Sequence, residues 1–179
     1  MTPQGLYEIR EVPRWHIVGR KNSGKTTLVC ELVQRLSAQG LKVATIKHTH
    51  HQHELDTPGK DSHKHRESGA AGVGILSAQM TAAFVPVERD DDETLRYARF
   101  NVMFNDCDII LVEGDLHSEA RRIEVWRAAN SPQPYAVEHE GIDLLITDDE
   151  PPSQLPSSCQ VLPRADLAAL LNHLMTTRA

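Results

Sequence analysis

The chain has 179 residues, a length that suits one domain with a sizeable core. Hydrophobic residues make up 40% and charged residues 25%, and no apolar run approaches the roughly 18 residues that span a bilayer, so a membrane role is not expected. A net charge of −6 argues against general nucleic-acid binding, and three scattered cysteines, Cys30, Cys107 and Cys159, argue against a disulfide framework. The first fifteen residues contain no signal-like apolar core, which leaves the cytoplasm as the expected compartment.

Residues 1–13 read as a polar lead-in with room for an edge strand. Arg14–Val18 (RWHIV) reads as a buried strand, and GRKNSGKTT follows it directly. That stretch fits G-x-x-x-x-G-K-[ST] with Gly19, Gly24, Lys25 and Thr26 in the required places. Glycines there let several backbone N–H groups turn toward one anion. Lys25 would meet the β- and γ-phosphates as a point charge, and the Thr26 hydroxyl would ligate Mg²⁺. Leu28, Val29, Leu32, Val33 and Leu36 then repeat at helical spacing and Gly40 supplies a stop, so the loop opens a helix whose positive end faces the phosphates. Cys30 falls in this helix and Cys107 just before a strand, and both are expected to be buried small hydrophobes.

Leu41–Ile46 reads as a second strand. Between Lys42 and Arg66 stand five Lys or Arg against three Asp or Glu, with six of the ten histidines. A basic zone on an acidic chain suits a small anionic ligand, with a solvated patch as the plainer reading. The first part of this zone reads as a long loop, the kind that is usually functional. Thr57-Pro58-Gly59 signals a turn. Asp61–Ser68 suggests a short helix capped by Asp61 or Ser62 and stopped at Gly69. The clustered His48, His50, His51 and His53 suit either a transition metal or an anion. No paired cysteine and no regular H-x₃₋₅-H accompanies them.

Val73–Ser77 and Thr81–Val87 flank Ala78-Gln79-Met80 and read as a hairpin. The acidic run Glu88–Glu93 precedes a helix near Thr94–Phe104. Asp108–Glu113 carries four consecutive apolar residues, the mark of a strand buried on both faces. Glu113 stands at its end, where a second metal-associated acid is expected, with a capping or loop carboxylate as the plainer reading; Asp56 is the other candidate, and Gly114 would let the chain turn close to the phosphates. Arg122–Arg127 and Ile142–Thr147 read as strands, Gln160–Leu162 as a short one, residues 151–163 as a Pro/Ser-rich loop, and Leu167–Leu174 as a last amphipathic helix. The alternation implies an α/β fold with a mostly parallel sheet, helices on both faces and a hairpin extension, in which ligands sit beyond the strands' carboxyl ends. No efficient hydrolytic base stands out, so turnover is expected to be slow.

Three segments together carry a family resemblance. GRKNSGKTT, then KHTHHQHELDTPGKDSHKHRESGA with its Lys47-His48, His50-His51, Asp56, Pro58-Gly59-Lys60-Asp61-Ser62 and Ser68-Gly69-Ala70, then Val112-Glu113-Gly114, resemble the MobB family of molybdopterin-guanine dinucleotide biosynthesis adaptors. The resemblance runs from about Trp15 to Leu174. It implies a single, three-layer P-loop NTPase-like domain that binds GTP with Mg²⁺, hydrolyses it weakly and works as a homodimer. It also implies a partner, a MobA-type molybdenum cofactor guanylyltransferase, and molybdopterin as a second ligand. Gly19, Asn22, Ser23, Gly24, Lys25, Thr26 and Thr27 would cradle the phosphates, with Lys25 and Glu113 carrying what catalysis there is. Thr26, Glu113 and Asp56 would serve the metal. His48, His50, His51, Lys60 and Asp61 would line a pterin or anion site, and Asp148 would read guanine, unless it merely caps the TDDEP turn. The family's aromatic and Lys after Val-Glu-Gly are replaced here by Asp115, Leu116 and His117, for which His117, Arg121 or Arg122 are the available substitutes. Two rival readings are a nickel- or zinc-handling metallochaperone GTPase and a small-molecule kinase or ligase-like ATPase.

Overall fold

The structure, a computed structural model, describes residues 9–49, 54–87 and 92–176. The expectations for residues 1–8, for His50, His51 and His53, and for residues 88–91 of the acidic run lie outside the described residues. The chain opens with β1 (Arg14–Val18), α1 (Lys25–Ala38), β2 (Val43–Lys47) and α2 (Asp61–Glu67). Next come β3 (Val73–Leu76), β4 (Thr81–Phe84), α3 (Glu93–Met103) and β5 (Ile109–Glu113). The last elements are β6 (Arg121–Val125), α4 (Tyr135–Glu138), β7 (Ile142–Ile146), β8 (Gln160–Leu162) and α5 (Leu167–Thr176). No helix among the described residues is long and apolar enough to cross a membrane.

The chain divides into two compact units, one formed by Met1–Thr49 with Phe100–Ala179, the other by His50–Arg99. The first holds a six-stranded sheet in the order β2-β5-β1-β6-β7-β8, parallel at every pairing. β5 lies inside the sheet, and Ile109, Ile110, Leu111 and Val112 are all buried, as their unbroken apolar run predicts. Alternation along β1 sends Trp15 and Ile17 to one face and His16 and Val18 to the other. On the first face Leu28, Leu32 and Leu36 of α1 meet Leu170 and Leu174 of α5 over Trp15 and Ile17. Each such leucine contributes about 1.5–3 kcal/mol by leaving water. The second face packs Val18, Trp126 and Leu145 with Ala136 of α4. Helices on both faces of a mostly parallel sheet are the α/β fold expected.

The strand registers align the carboxyl ends. Lys47 of β2 and Ile17 of β1 both stand opposite Glu113 of β5, and Val125 of β6 stands opposite Ile146 of β7. The phosphate-loop motif, Glu113, His48 and Thr147 therefore leave the sheet at one edge, where ligands sit in open α/β sheets.

The second unit contains α2 and an antiparallel β3–β4 pair. Ser77 closes the hairpin, its Oγ accepting from Met80 N at 2.9 Å. The expected cap of α2 is displaced: Lys60 occupies the N-cap without a side-chain bond, and Asp61 begins the helix. Gly69, at φ 94°, ends it as expected.

Several expectations need correction, among them the strand expected over Thr81–Val87, which ends at Phe84. Cys30 is exposed, because it lies two residues, about 200°, round α1 from Leu28 and so off the buried stripe. Cys107 is half-buried. The strand expected over Arg122–Arg127 runs instead over Arg121–Val125, with Trp126 N still donating to Ile146 O at 3.0 Å and Arg127 beyond the strand.

Candidate functional site

The loop between β1 and α1 has the geometry its glycines require. A Cβ on Gly19 would lie 2.3 Å from the carbonyl oxygen of Val125, so only glycine lets the loop pass this close to β6. Gly24, at φ 103°, is the N-cap of α1 and gives the helix no side-chain cap. No acidic side chain stands in the first turn either, so the helix start offers its N–H groups and positive dipole end to an external anion. Asn22 takes a left-handed conformation, φ 63°, which its short polar side chain tolerates. Ser23 is buried, and its hydroxyl has no partner among the described residues. Thr27 is exposed at the first turn.

Lys25 folds back over the loop, its Nζ donating to the carbonyls of Gly19 and Arg20 at 2.7 Å each. Burial pushes its ammonium below the usual lysine range, and the nearby Glu113 carboxylate pulls it partly back. The Thr26 hydroxyl donates to Glu113 Oε1 at 2.8 Å. A hydroxyl and a carboxylate held this close offer oxygen donors of the kind that suit Mg²⁺. Thr26 and Glu113 are the residues that would hold it.

The segment after Glu113 is held from beneath. Gly114 N donates to Ile17 O and His48 N to Glu113 O, both at 3.0 Å. A Cβ on Gly114 would lie 3.1 Å from His48 O, so the close neighbour that requires this glycine is the His48 backbone. His16, fully buried on β1, was legible only as a strand residue. Its neutral ring donates from Nδ1 to Gly114 O at 3.3 Å, with Asp115 Oδ2 at 3.6 Å, and accepts at Nε2 from Ser118 Oγ at 3.2 Å. Asp115, part of the departure after Val-Glu-Gly, is buried beside this ring. Burial lowers the His16 pKa to about 4, against the pull of Asp115.

Arg121 and Arg122 do not replace the missing lysine. Arg121 stacks over Trp15, toward the strands' amino ends. Arg122 is held by the carbonyls of Leu116 and Glu140, each 2.5 Å away. His117 is exposed and meets His139 edge-on, ring centres 5.7 Å apart, with Tyr135 equally close to His139. Arg20 of the phosphate loop covers the Tyr135 ring at 4.5 Å and meets Glu138 at 3.4 Å. Glu124 is the buried support of this corner. Its two carboxylate oxygens accept from the N–H groups of Tyr135 and Ala136 at 2.8 and 2.9 Å, capping α4. Burial raises its pKa and those two bonds oppose the rise.

Beyond β7, Asp148 Oδ1 accepts from Arg164 N at 2.9 Å, so one of its oxygens does cap a turn. Oδ2 has no partner among the described residues. Asp149 accepts from Ala128 N at 2.8 Å and ties the segment after β6 to the end of β7. In the second unit, Asp56 Oδ1 accepts from Ser62 Oγ and Thr57 N at 2.8 Å each, bracing the start of α2. Lys60 is exposed, and Asp61 pairs with Lys64 at 3.7 Å. His63 stands between Glu54 at 3.8 Å and Glu67 at 3.3 Å, and Arg66 meets Glu54 at 2.7 Å. The first unit thus brings together the phosphate loop, Glu113, His48 and Asp148 along one edge. Asp56, Lys60 and Asp61 belong to the second unit.

The family model for molybdopterin guanine dinucleotide synthesis protein B, MobB, matches residues 15–148. The chain is 32% identical over 140 residues to the molybdopterin-guanine dinucleotide biosynthesis adapter protein of Escherichia coli K12, covering 78% of this chain and 80% of that one. It is 39% identical over 106 residues to the urease accessory protein UreG of Mycolicibacterium gilvum, covering 58% and 48% of the two chains. The crystal structure of Bacillus subtilis MobB superposes with a TM-score of 0.70 at 21% identity, over 93% of this chain and 98% of that one.

Proposed function

This chain belongs to the MobB family, and from that premise we propose that it is a guanine-nucleotide-binding adapter in the biosynthesis of molybdopterin guanine dinucleotide. On this reading it holds GTP beside molybdopterin for a MobA-type guanylyltransferase, acts in the cytoplasm and uses residues 1–179 as one nucleotide-binding domain. The observation that carries the reading is the Thr26–Glu113 hydrogen bond of 2.8 Å at the foot of a loop whose helix start has no cap of its own.

The loop's N–H groups and Lys25 bind the β- and γ-phosphates, and the Lys25 ammonium exchanges its two loop carbonyls for phosphate oxygens. Bound Mg²⁺ would offset phosphate charge between Thr26 and Glu113. Glu113 is engaged with Thr26, which favours holding the nucleotide over rapid hydrolysis. Asp148 offers Oδ2 to the N1–H and N2–H groups of guanine. The anionic pterin phosphate is the ligand proposed for the basic stretch of sequence that carries His48, His50, His51, Lys60 and Asp61, and Asp56, bonded to Ser62, is the further candidate for the metal. The hairpin of the second unit is the surface through which two copies pair.

Titration of the purified protein with a non-hydrolysable GTP analogue, its ATP counterpart and molybdopterin tests this. Tighter binding of the guanine analogue is expected, with Lys25→Ala weakening it more than about tenfold as a phosphate-paired cation is lost. Equal affinity for the two nucleotides, or no effect of Lys25→Ala, would sink the assignment. The similarity to UreG favours one second reading, a metal-delivery GTPase. It requires tight, stoichiometric Ni²⁺ or Zn²⁺ uptake in equilibrium dialysis, and the commitment of His63 to Glu54 and Glu67 counts against it.

A further inference from the structure

Arg127 follows β6, whose strand lies between β1, which leads into the phosphate loop, and β7, which leads to Asp148. The sheet order places the end of β5, with Glu113, on one side of the phosphate loop. The ends of β6 and then β7, with Arg127 and Asp148 beyond them, lie on the other. From β5 to β7 there are three strand steps of about 4.8 Å each, a span that suits a nucleoside triphosphate laid along the edge. With the metal end at Glu113 and the base end at Asp148, the phosphate nearest the ribose passes Arg127.

Three observations place the side chain there. Its Nη2 lies 3.4 Å from where a Cβ on Gly24 would sit, at the start of α1. Arg127 lines both the cavity of about 500 Å³ over the phosphate loop, with Lys25, Thr26 and Glu113, and the cavity of about 340 Å³ that contains Asp148. The backbone that carries it is fixed. Arg127 O accepts from Asn130 N at 3.0 Å and Ser131 N at 3.3 Å, and the next residue, Ala128, is bound to Asp149. Arg164, by contrast, is spent on Glu31 at 2.8 Å, and Arg121 and Arg122 are engaged elsewhere. Among the described residues the Arg127 guanidinium has neither a hydrogen bond nor an ion pair. A planar fork of donors is suited to bidentate contact with a phosphate.

We propose that Arg127 binds the α-phosphate of the nucleotide and joins the phosphate loop to the base pocket. This rests on the site binding a guanine nucleotide. The test is a titration of the full chain with a non-hydrolysable GTP analogue, GDP, GMP and guanosine, for the unsubstituted protein, Arg127→Ala, Arg127→Lys and Lys25→Ala. Arg127→Ala is expected to weaken all three nucleotides by a similar factor, on the order of tenfold to a hundredfold, and to leave guanosine unchanged. Arg127→Lys should recover part of the loss, keeping charge without the fork. Lys25→Ala should weaken the GTP analogue and GDP and spare GMP. Equal nucleotide binding by Arg127→Ala, beside a clear Lys25→Ala loss, would overturn the proposal alone. So would an equal loss for guanosine, which marks a merely structural role. Failure of the unsubstituted protein to bind any guanine nucleotide would overturn the reading of the site and the proposal together.

Discussion

His16 is a fully buried polar residue on β1. It holds the Gly114–Ser118 segment behind Glu113 and is kept neutral by burial, with its pKa lowered to about 4. Asp115 pulls this value up, while Arg14 and His48 push it down. A folded pKa below the unfolded value near 6.5 means that the unfolded chain takes up the proton first. The stability contributed by neutral His16 is therefore complete above about pH 6.5 and is lost as pH falls toward 4. Denaturant midpoints should drop across that window, and the drop should be smaller in His16→Gln. Parallel pH profiles for the two proteins would contradict this role. That Gly19, Gly24, Lys25, Thr26 and Glu113 come to one edge of the sheet was legible from the loop's place between a strand and a helix and from Glu113's place at the end of a buried strand. His16 was not, because strand periodicity reports burial and says nothing of partners. Arg127 was read as a strand residue, and only the end of β6 at Val125 turns it toward the loop.

Among the elements, the β3–β4 hairpin was legible from its alternation and turn, whereas α4 was not. One helical turn carries no periodicity, and its cap, Glu124, stands 11 residues before Tyr135 in the chain. The hairpin bears Leu76, 85% exposed, and its turn bears Met80, 74% exposed. On the proposed pairing of two copies through the hairpin, these apolar side chains are the surface that a second copy would cover. Leu76→Asp combined with Met80→Asp should convert a dimer to a monomer in light scattering, halving the mass, because each buried charge would lack a partner. An unchanged dimer would place the interface elsewhere.

At the scale of the whole molecule, a net charge of −6 coexists with a basic stretch of sequence between Lys42 and Arg66 and with Arg20, Lys21 and Lys25 in the phosphate loop, so the positive charge is unevenly distributed along the chain. The parallel sheet and its ligand edge followed from the alternation of strands and helices. The division into two compact units did not, because hydrophobic patterning marks elements and not the boundaries between packed groups. The central claim is that this chain holds a guanine nucleotide in support of cofactor maturation. Its most direct test is a reconstituted conversion of molybdopterin to the guanine dinucleotide by a MobA-type guanylyltransferase at limiting GTP. Product yield is measured without the chain, with it, and with its Lys25→Ala and Lys60→Ala forms. The account predicts a higher yield with the unsubstituted chain and loss of that gain in both variants with the fold intact. A yield indifferent to the chain, or a gain that survives Lys25→Ala, would contradict it.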